Sequence, residues 1–221
     1  MSSALRLSVV LTLLALGLLA ARVALTRSHD MVFLGWNLSL AWIALGLTVL
    51  AVERARERGW LLAAAAGVCA WLFFPNTIYL VSDLAHANYG RSVMRWCDTA
   101  MVGTFGLAGA MLAVDCLERA RGLVRARLGE GAGWAGSAFA WMSAGVGVWL
   151  GRVPRWNSWD ALLSPLDVVL DTLRHFAHPL RYPGTWSTAL VYASLCAALQ
   201  IGFVLEHAAR RRDESLTRGG A

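Results

Sequence analysis

Long stretches of apolar residues without a single charge dominate the chain. Five of them cover residues 31–52, 59–82, 99–114, 132–151 and 182–205, and a weaker sixth covers residues 7–26 with Arg22 inside it. Their lengths are close to the ~20 residues that an α-helix needs to cross about 30 Å of hydrocarbon. The pattern predicts an all-α, polytopic membrane protein with six transmembrane helices.

The two ends of the chain differ in character. The first apolar stretch follows Arg6 and contains small residues, as a cleaved secretory signal would, but its apolar core runs on to Leu25 and favours a retained helix. Residues 210–221 are polar and are predicted to fray. We therefore expect a single transmembrane domain over residues 1–209 and a cytoplasmic tail over residues 210–221.

Charge indicates orientation rather than a polyanionic partner. All 20 basic residues are arginine, and the formal net charge is +6. With a cytoplasmic N-terminus, the short inner segments carry most of these arginines, as the positive-inside rule requires. The inner arginines are Arg6, Arg54, Arg56, Arg58, Arg119, Arg121, Arg125, Arg127, Arg210, Arg211, Arg212 and Arg218. This distribution predicts an inner (plasma) membrane protein with both termini cytoplasmic and no nucleic-acid partner.

Two of the predicted spans contain small residues at helical spacing. Gly103, Gly106 and Gly109 recur in the fourth span, and Gly136 precedes Ala144 in the fifth. Small residues let helices approach closely in lipid. The pattern predicts that these two spans pack inside the bundle.

A proline interrupts the third predicted span. Pro75 lacks an amide donor and frees the carbonyl of Trp71, and Asn76 follows at once. A freed carbonyl at membrane depth needs a partner from a neighbouring helix, water or a ligand. The sequence therefore predicts either a kink repaired by packing or a kink that lines a polar cavity.

The segment 164–179 has the pattern of a short amphipathic helix. Ser164 can cap it, Pro165 suits its first turn, and apolar side chains share one face. Its length and its five ionisable groups exclude a membrane span. We predict a helix from about Pro165 to Ala177 that lies on the outer membrane interface.

Polar residues that are unusual for a membrane span collect on the outer side of the predicted topology. The candidate pocket consists of Asn76, Asp83, His86, Asp98, Arg152, Arg155, Asn157 and Asp160. An unpaired charge at low dielectric is costly, so the arginines are expected to pair with aspartates and clasp the outer helix ends. Alternatively, one guanidinium stays free to bind an anion, or the cluster lines a water-filled pathway.

Metal binding is the weaker interpretation of the outer histidines. Asp83 and His86 are spaced i,i+3, as are His175 and His178, so ligands could share a helix face. The same spacing is typical of the solvated side of an interfacial helix, and HExxH and paired cysteines are both missing from the sequence. We predict no metal site and no cofactor.

Two segments resemble the signature of a known family. These are PNTIYLVSDLAHAN at residues 75–88 and GVWLGRVPRWNSWD at residues 147–160. They are similar to the two conserved blocks of a bacterial membrane protein family catalogued as domain of unknown function 1361. The resemblance extends from about Met31 to Leu205. It implies a polytopic bacterial membrane protein, and it implies no activity.

The pattern as a whole favours recognition or processing of an anionic, lipid-linked molecule at the outer leaflet. Arg152 or Arg155 would bind the anion. Asp83 or Asp160 would orient the ligand or accept a proton, and Asn76 would line the pocket. Whether this is enzymatic stays open, because an enzyme needs a carboxylate or histidine with a perturbed pKa. The alternatives are a small transporter, disfavoured by the apolar inner halves of the spans, and a structural or assembly partner.

Overall fold

The computed structural model describes residues 3–88 and 95–219, and within these ranges the chain is helical and contains no strand. The α-helices are α1 Ser3–Thr26, α2 Phe33–Arg56, α3 Trp60–Phe73, α4 Pro75–Ser82, α5 Arg95–Leu128, α6 Glu130–Arg152, α7 Asp160–Leu163, α8 Pro165–Phe176 and α9 Pro183–Gly219. A 3-10 helix, Asp83–Asn88, follows α4.

Within the described ranges, five segments are long and apolar enough to cross a membrane. They are Ser3–Thr26, Phe33–Arg56, Trp60–Ala85, Trp96–Leu128 and Pro183–Asp213. These segments confirm the all-helical class and agree with a multi-pass membrane protein. The remaining predicted span forms α6, a helix of 23 residues. Glycine, serine and tryptophan make α6 less apolar than the other five.

Helix α5 is the centre of the bundle, with α1, α2, α4, α6 and α9 packed around it. Glycines allow the closest approaches. An added Cβ at Gly109 would lie 2.3 Å from the carbonyl oxygen of Thr77, and one at Gly145 would lie 2.0 Å from that of Ala189. The prediction of packing inside the bundle is confirmed for the fourth span, α5; the fifth span, α6, packs on α4, α5 and α9 but leaves Phe139 and Met142 exposed. Gly103 and Gly136, however, have open space beside them.

The two ends of the bundle differ. Ser3 Oγ lies 2.9 Å from Nε2 of His207, so α1 begins beside the late part of α9. We call this end the terminal face. Helix α2 runs back along α1, with Trp42 bonded to Thr12, so α2 ends at the same face; the end of α5 lies beside it, because Arg127 donates a hydrogen bond to the carbonyl oxygen of Ala55. We call the opposite end the loop face; it carries the long segment between α6 and α9.

Two predicted segments differ in detail from the structure. Helix α9 continues through the polar tail to Gly219, where fraying was predicted from residue 210 onward. Helix α8 forms at the predicted place, but the Ser164 side chain makes no capping hydrogen bond. Val168 is buried, but most of the leucines and valines of α8 are exposed. Leu166, Val169, Leu170 and Leu173 are all more than half exposed, as in a helix whose apolar side faces lipid.

Candidate functional site

A buried ion pair joins α2, α4 and α6 at the loop face. Asp83 is completely buried, and its carboxylate accepts hydrogen bonds from Arg152 Nη2 and from Asn37 Nδ2, the latter at 3.0 Å. Arg152 Nε also donates to Ser82 Oγ at 2.7 Å, and the guanidinium carbon lies 4.1 Å from the centre of the Tyr79 ring. We call these five residues the loop-face clasp.

The side chains that follow the proline donate hydrogen bonds to the carbonyls of Phe73 and Phe74, beside the break between α3 and α4. Asn76 Nδ2 donates to the carbonyl oxygen of Phe73 and to Ser158 Oγ, both at 2.9 Å. Thr77 Oγ1 donates to the carbonyl oxygen of Phe74 at 2.7 Å. Local hydrogen bonds therefore satisfy carbonyls at the end of α3. Asn76 also ties this kink to the segment that follows α6.

A cavity of about 590 Å³ lies beside the clasp. We call it the loop-face cavity. Its uncharged polar lining residues are Asn37, Asn76, Tyr79, Ser143, Asn157 and Ser158, and its tryptophans are Trp36, Trp71, Trp156 and Trp159. Deeper along the same helices the wall is apolar, with Leu40, Leu72 and Met142. Among the described residues, no charged side chain lines the cavity. The cavity therefore has an amide-rich outer part and an apolar inner part.

Close helix contacts form one edge of this cavity. An added Cβ at Gly147 would lie 2.4 Å from the Pro75 ring, and one at Gly151 would lie 2.6 Å from the Tyr79 ring. The two glycines thus let α6 lie against the kink of the third span. The kink both packs tightly and lines the cavity, so both interpretations of the proline describe part of the structure.

Three of the predicted pocket residues lie in the segment from the end of α6 to the first residue of α7. Asp160 Oδ2 accepts hydrogen bonds from the Asn157 backbone amide at 2.6 Å and from Asn157 Nδ2 at 3.2 Å, which fixes the turn before α7. Arg155 is exposed, has a φ of 64°, and makes no hydrogen bond or ion pair with the residues that the structure describes. A positive φ is uncommon for a residue with a side chain. The next two residues, Trp156 and Asn157, line the cavity, which places the Arg155 backbone at its rim, although Arg155 itself is not a lining residue.

The other predicted pocket residues lie apart from the cavity lining or outside the described part. Asp98 is buried at the start of α5, and its Oδ1 accepts a hydrogen bond from Arg22 Nε at 2.8 Å, so this pair joins α5 to α1. The side chain of His86 lies outside the described residues. Of the eight predicted residues, Asn76 and Asn157 line the cavity, and Asp83 and Arg152 form the adjacent clasp.

Polar contacts hold α8 to the bundle. Trp156 Nε1 donates to Asp171 Oδ2 at 3.0 Å. The His175 ring lies between Trp149 and Tyr182, with ring centres 5.1 Å and 4.4 Å away. Asp171 and His175 therefore face the protein, whereas the sequence suggested a solvated polar face. Among the described residues, the structure places no three His, Cys, Asp or Glu side chains to hold a metal ion.

A polar network in the terminal-face half of the bundle was missed by sequence reasoning. Gln200 is completely buried, and its Nε2 donates to Glu118 Oε1 at 2.7 Å and to Ser137 Oγ at 3.1 Å. Trp141 Nε1 donates to Gln200 Oε1 at 2.8 Å. Asp115 and Arg119, one turn apart on α5, form an ion pair at 2.8 Å. The amide of Gln200 is satisfied within the protein, so this network joins α5, α6 and α9.

Sequence reasoning also left four contributors out of the pocket. Asn37 and Ser82 complete the clasp, Tyr79 contacts Arg152, and Ser158 binds Asn76. The sequence contained a signal for two of these four residues. Tyr79 and Ser82 are spaced i,i+3 and therefore lie on the same helix face.

Comparison with known proteins gives one match. A family model described as "Protein of unknown function (DUF1361)" matches residues 36–201. This confirms the resemblance of the two sequence segments, both of which lie inside the matched range. Neither the curated proteins nor the solved structures contain a match.

Proposed function

We propose that this chain, which belongs to the DUF1361 family, binds an anionic, lipid-linked molecule in the loop-face cavity. The observation that carries the proposal is the order of groups along that cavity. Amide and hydroxyl groups come first, and apolar side chains follow deeper in the bundle. An amphipathic molecule has the same order, with a polar head and a hydrocarbon chain. Cavities of this size and polarity are typical of small-molecule sites.

The two arginines of the second signature segment have different roles in this proposal. Arg152 is bound to Asp83, Ser82 and Tyr79 and positions the helices around the cavity. Arg155 is exposed at the rim, with its guanidinium available to an anionic group through a bidentate contact. Because Asp83 is buried and held by two donors, binding is better supported than proton transfer.

The contact geometry supports six membrane crossings. The 23 residues of α6 rise about 34 Å, which is enough to cross the hydrocarbon core. The contact between Ser3 and His207 brings the start of α1 and the late part of α9 to the same face. An even number of crossings is needed for this, and α6 supplies the sixth. We further propose that the terminal face is cytoplasmic in a bacterial inner membrane, because arginines concentrate there.

A structural or assembly role is the second candidate, since the clasp is a saturated interhelical contact. A transporter of polar solutes is less well supported. A polar pathway through the bundle would need polar side chains with free groups at membrane depth. Gln200 is buried and polar, but its amide is already bonded to Glu118, Ser137 and Trp141.

The anion contact is tested by replacing Arg155. We expect Arg155→Gln to remain folded. The amount of anionic lipid-linked molecule that co-purifies with it should be at least about tenfold lower than with the wild-type protein, because a charge-assisted hydrogen bond contributes about 1.5–3 kcal/mol. Quantitative mass spectrometry of lipids extracted with the purified protein measures this. Arg211→Gln is the matched control, since Arg211 is exposed on α9 at the other face. Unchanged lipid content in Arg155→Gln would reject the anion contact.

Topology is tested with native cysteine chemistry. Cys97 is exposed beside the loop face, whereas Cys116 and Cys196 are buried. A membrane-impermeant maleimide should label Cys97 in intact spheroplasts, and Cys97→Ser should remove the signal. A cysteine placed at Ala209 in that background should be labelled only after permeabilisation. Labelling of both positions from the same side would contradict the six-span arrangement.

A further inference from the structure

A second cavity, of about 470 Å³, lies in the terminal-face half of the bundle between α2, α3, α5 and α6. We call it the terminal-face cavity. Its walls are mostly alanine, valine and leucine side chains. Trp71 and Phe139 line both cavities, and their rings stack with centres 5.8 Å apart. The aromatic pair therefore separates the two cavities near the middle of the bundle.

The length of the terminal-face cavity matches one lipid leaflet. Trp60 and Trp71 both line it, and Trp71 stacks on Phe139 where the two cavities meet. Along α3 the two tryptophans are eleven positions apart, which corresponds to a rise of about 16 Å. Half of a 30 Å hydrocarbon core is about 15 Å. The cavity is therefore long enough for one acyl chain from one leaflet, and Trp60 lies at the level where interfacial tryptophans are found.

Arg127, a cation with no acidic partner among the described residues, lies beside Trp60 at the mouth of this cavity. The Arg127 guanidinium carbon lies 4.4 Å from the centre of the Trp60 ring, and Nη2 donates to the carbonyl oxygen of Ala55. Arg127 is exposed and forms no ion pair among the described residues. Two acids of the adjoining turns are paired with other arginines, Glu57 with Arg54 and Glu130 with Arg121. The charge at the mouth is thus positive, and several guanidinium N–H groups are available.

We infer that the terminal-face cavity binds an anionic phospholipid of the adjoining leaflet. Its phosphate lies on Arg127 beside Trp60, and one acyl chain fills the cavity as far as Trp71 and Phe139. The occupant is a lipid headgroup rather than a free anion, because Arg127 lies directly beside an apolar cavity that is about as long as one leaflet is deep. This site is separate from the loop-face cavity and does not depend on its ligand.

The headgroup contact is tested on the full-length, delipidated protein in detergent. Native mass spectrometry follows binding of phosphatidylglycerol and, separately, of phosphatidylethanolamine with identical chains. We expect phosphatidylglycerol to bind at least about tenfold more tightly. Arg127→Gln should remove this preference, Arg127→Lys should keep part of it, and Arg211→Gln should keep all of it. Equal binding of the two lipids by the wild-type protein would overturn the inference.

The chain contact is tested by filling the cavity. Ala64 lines it and is exposed, whereas its neighbour Ala65 is exposed but lies outside the lining. We expect Ala64→Phe to weaken binding of both lipids at least about tenfold and Ala65→Phe to leave it unchanged. Circular dichroism and monodisperse elution verify folding. If Arg127→Gln does not fold, the inference is judged from Ala64→Phe and Ala65→Phe and from the lipid preference of the wild-type protein. Unchanged binding in Ala64→Phe would overturn the inference.

Discussion

Replacing Arg152 with glutamine is expected to destabilise the folded protein by about 3–5 kcal/mol, the usual cost of removing one partner from a buried ion pair. Asp83 is completely buried, and Arg152 is its cationic partner. Without the guanidinium, the carboxylate keeps the Asn37 amide but loses the positive charge of Arg152. Three elements, α2, α4 and α6, lose their common contact at the loop face.

Thermal unfolding in mild detergent, followed by size-exclusion chromatography, measures this loss. Arg155→Gln is the matched control, because it removes the same positive charge only three residues further along the chain. The Arg155 side chain is exposed and has no partner among the described residues. The double variant Asp83→Asn with Arg152→Gln should recover part of the stability, since it leaves no buried charge unpaired. If Arg152→Gln unfolded at the wild-type temperature, the clasp would not support the fold.

Introducing a methyl group at Gly145 is expected to be the second most damaging change. A Cβ there would lie 2.0 Å from the carbonyl oxygen of Ala189 and 2.8 Å from its carbonyl carbon. Both are backbone atoms, so no side-chain rotation can relieve the overlap and α6 must move away from α9. Overpacking of a core typically lowers the free energy of unfolding by about 1–3 kcal/mol, and we expect Gly145→Ala to lie near the upper end of this range.

Gly136→Ala is the control on the same helix. Nothing lies within 4 Å of the position of its Cβ, and alanine favours a helix over glycine by about 1 kcal/mol. This variant is therefore expected to be neutral or slightly stabilising. The comparison uses the midpoint of thermal unfolding in the same detergent. Equal midpoints for the two variants would contradict the close packing of α6 on α9.

The architecture could be predicted from the sequence because lipid imposes strong rules on it. Charge-free stretches of about 20 residues can only be helices at membrane depth, so α2, α5 and α9 follow from counting residues, and α1 follows from the weaker stretch that contains Arg22. The break at Pro75 follows from its missing amide donor. The helix beginning at Pro165 follows from its apolar periodicity.

The partners of the polar residues could not be predicted in the same way. Asp83 and Asp98 look alike in sequence, yet one pairs with Arg152 and the other with Arg22. The choice depends on which helices are neighbours, which local pattern does not contain. Gln200 is a single polar residue in an apolar stretch, and its role depends on Glu118 approaching from another helix.

Occupancy of the loop-face cavity tests the central proposal most directly. Ser143 lines the cavity, and its hydroxyl bonds only within its own helix among the described residues, to the carbonyl oxygen of Phe139. Ser143→Phe should therefore fill the space without breaking a contact between helices. Ala138→Phe, exposed on α6 outside the lining, is the control. The measurement is the amount of lipid-linked molecule that co-purifies with each folded variant. We predict that Ser143→Phe loses this molecule while Ala138→Phe and the wild-type protein retain it; equal retention in all three would contradict the proposal.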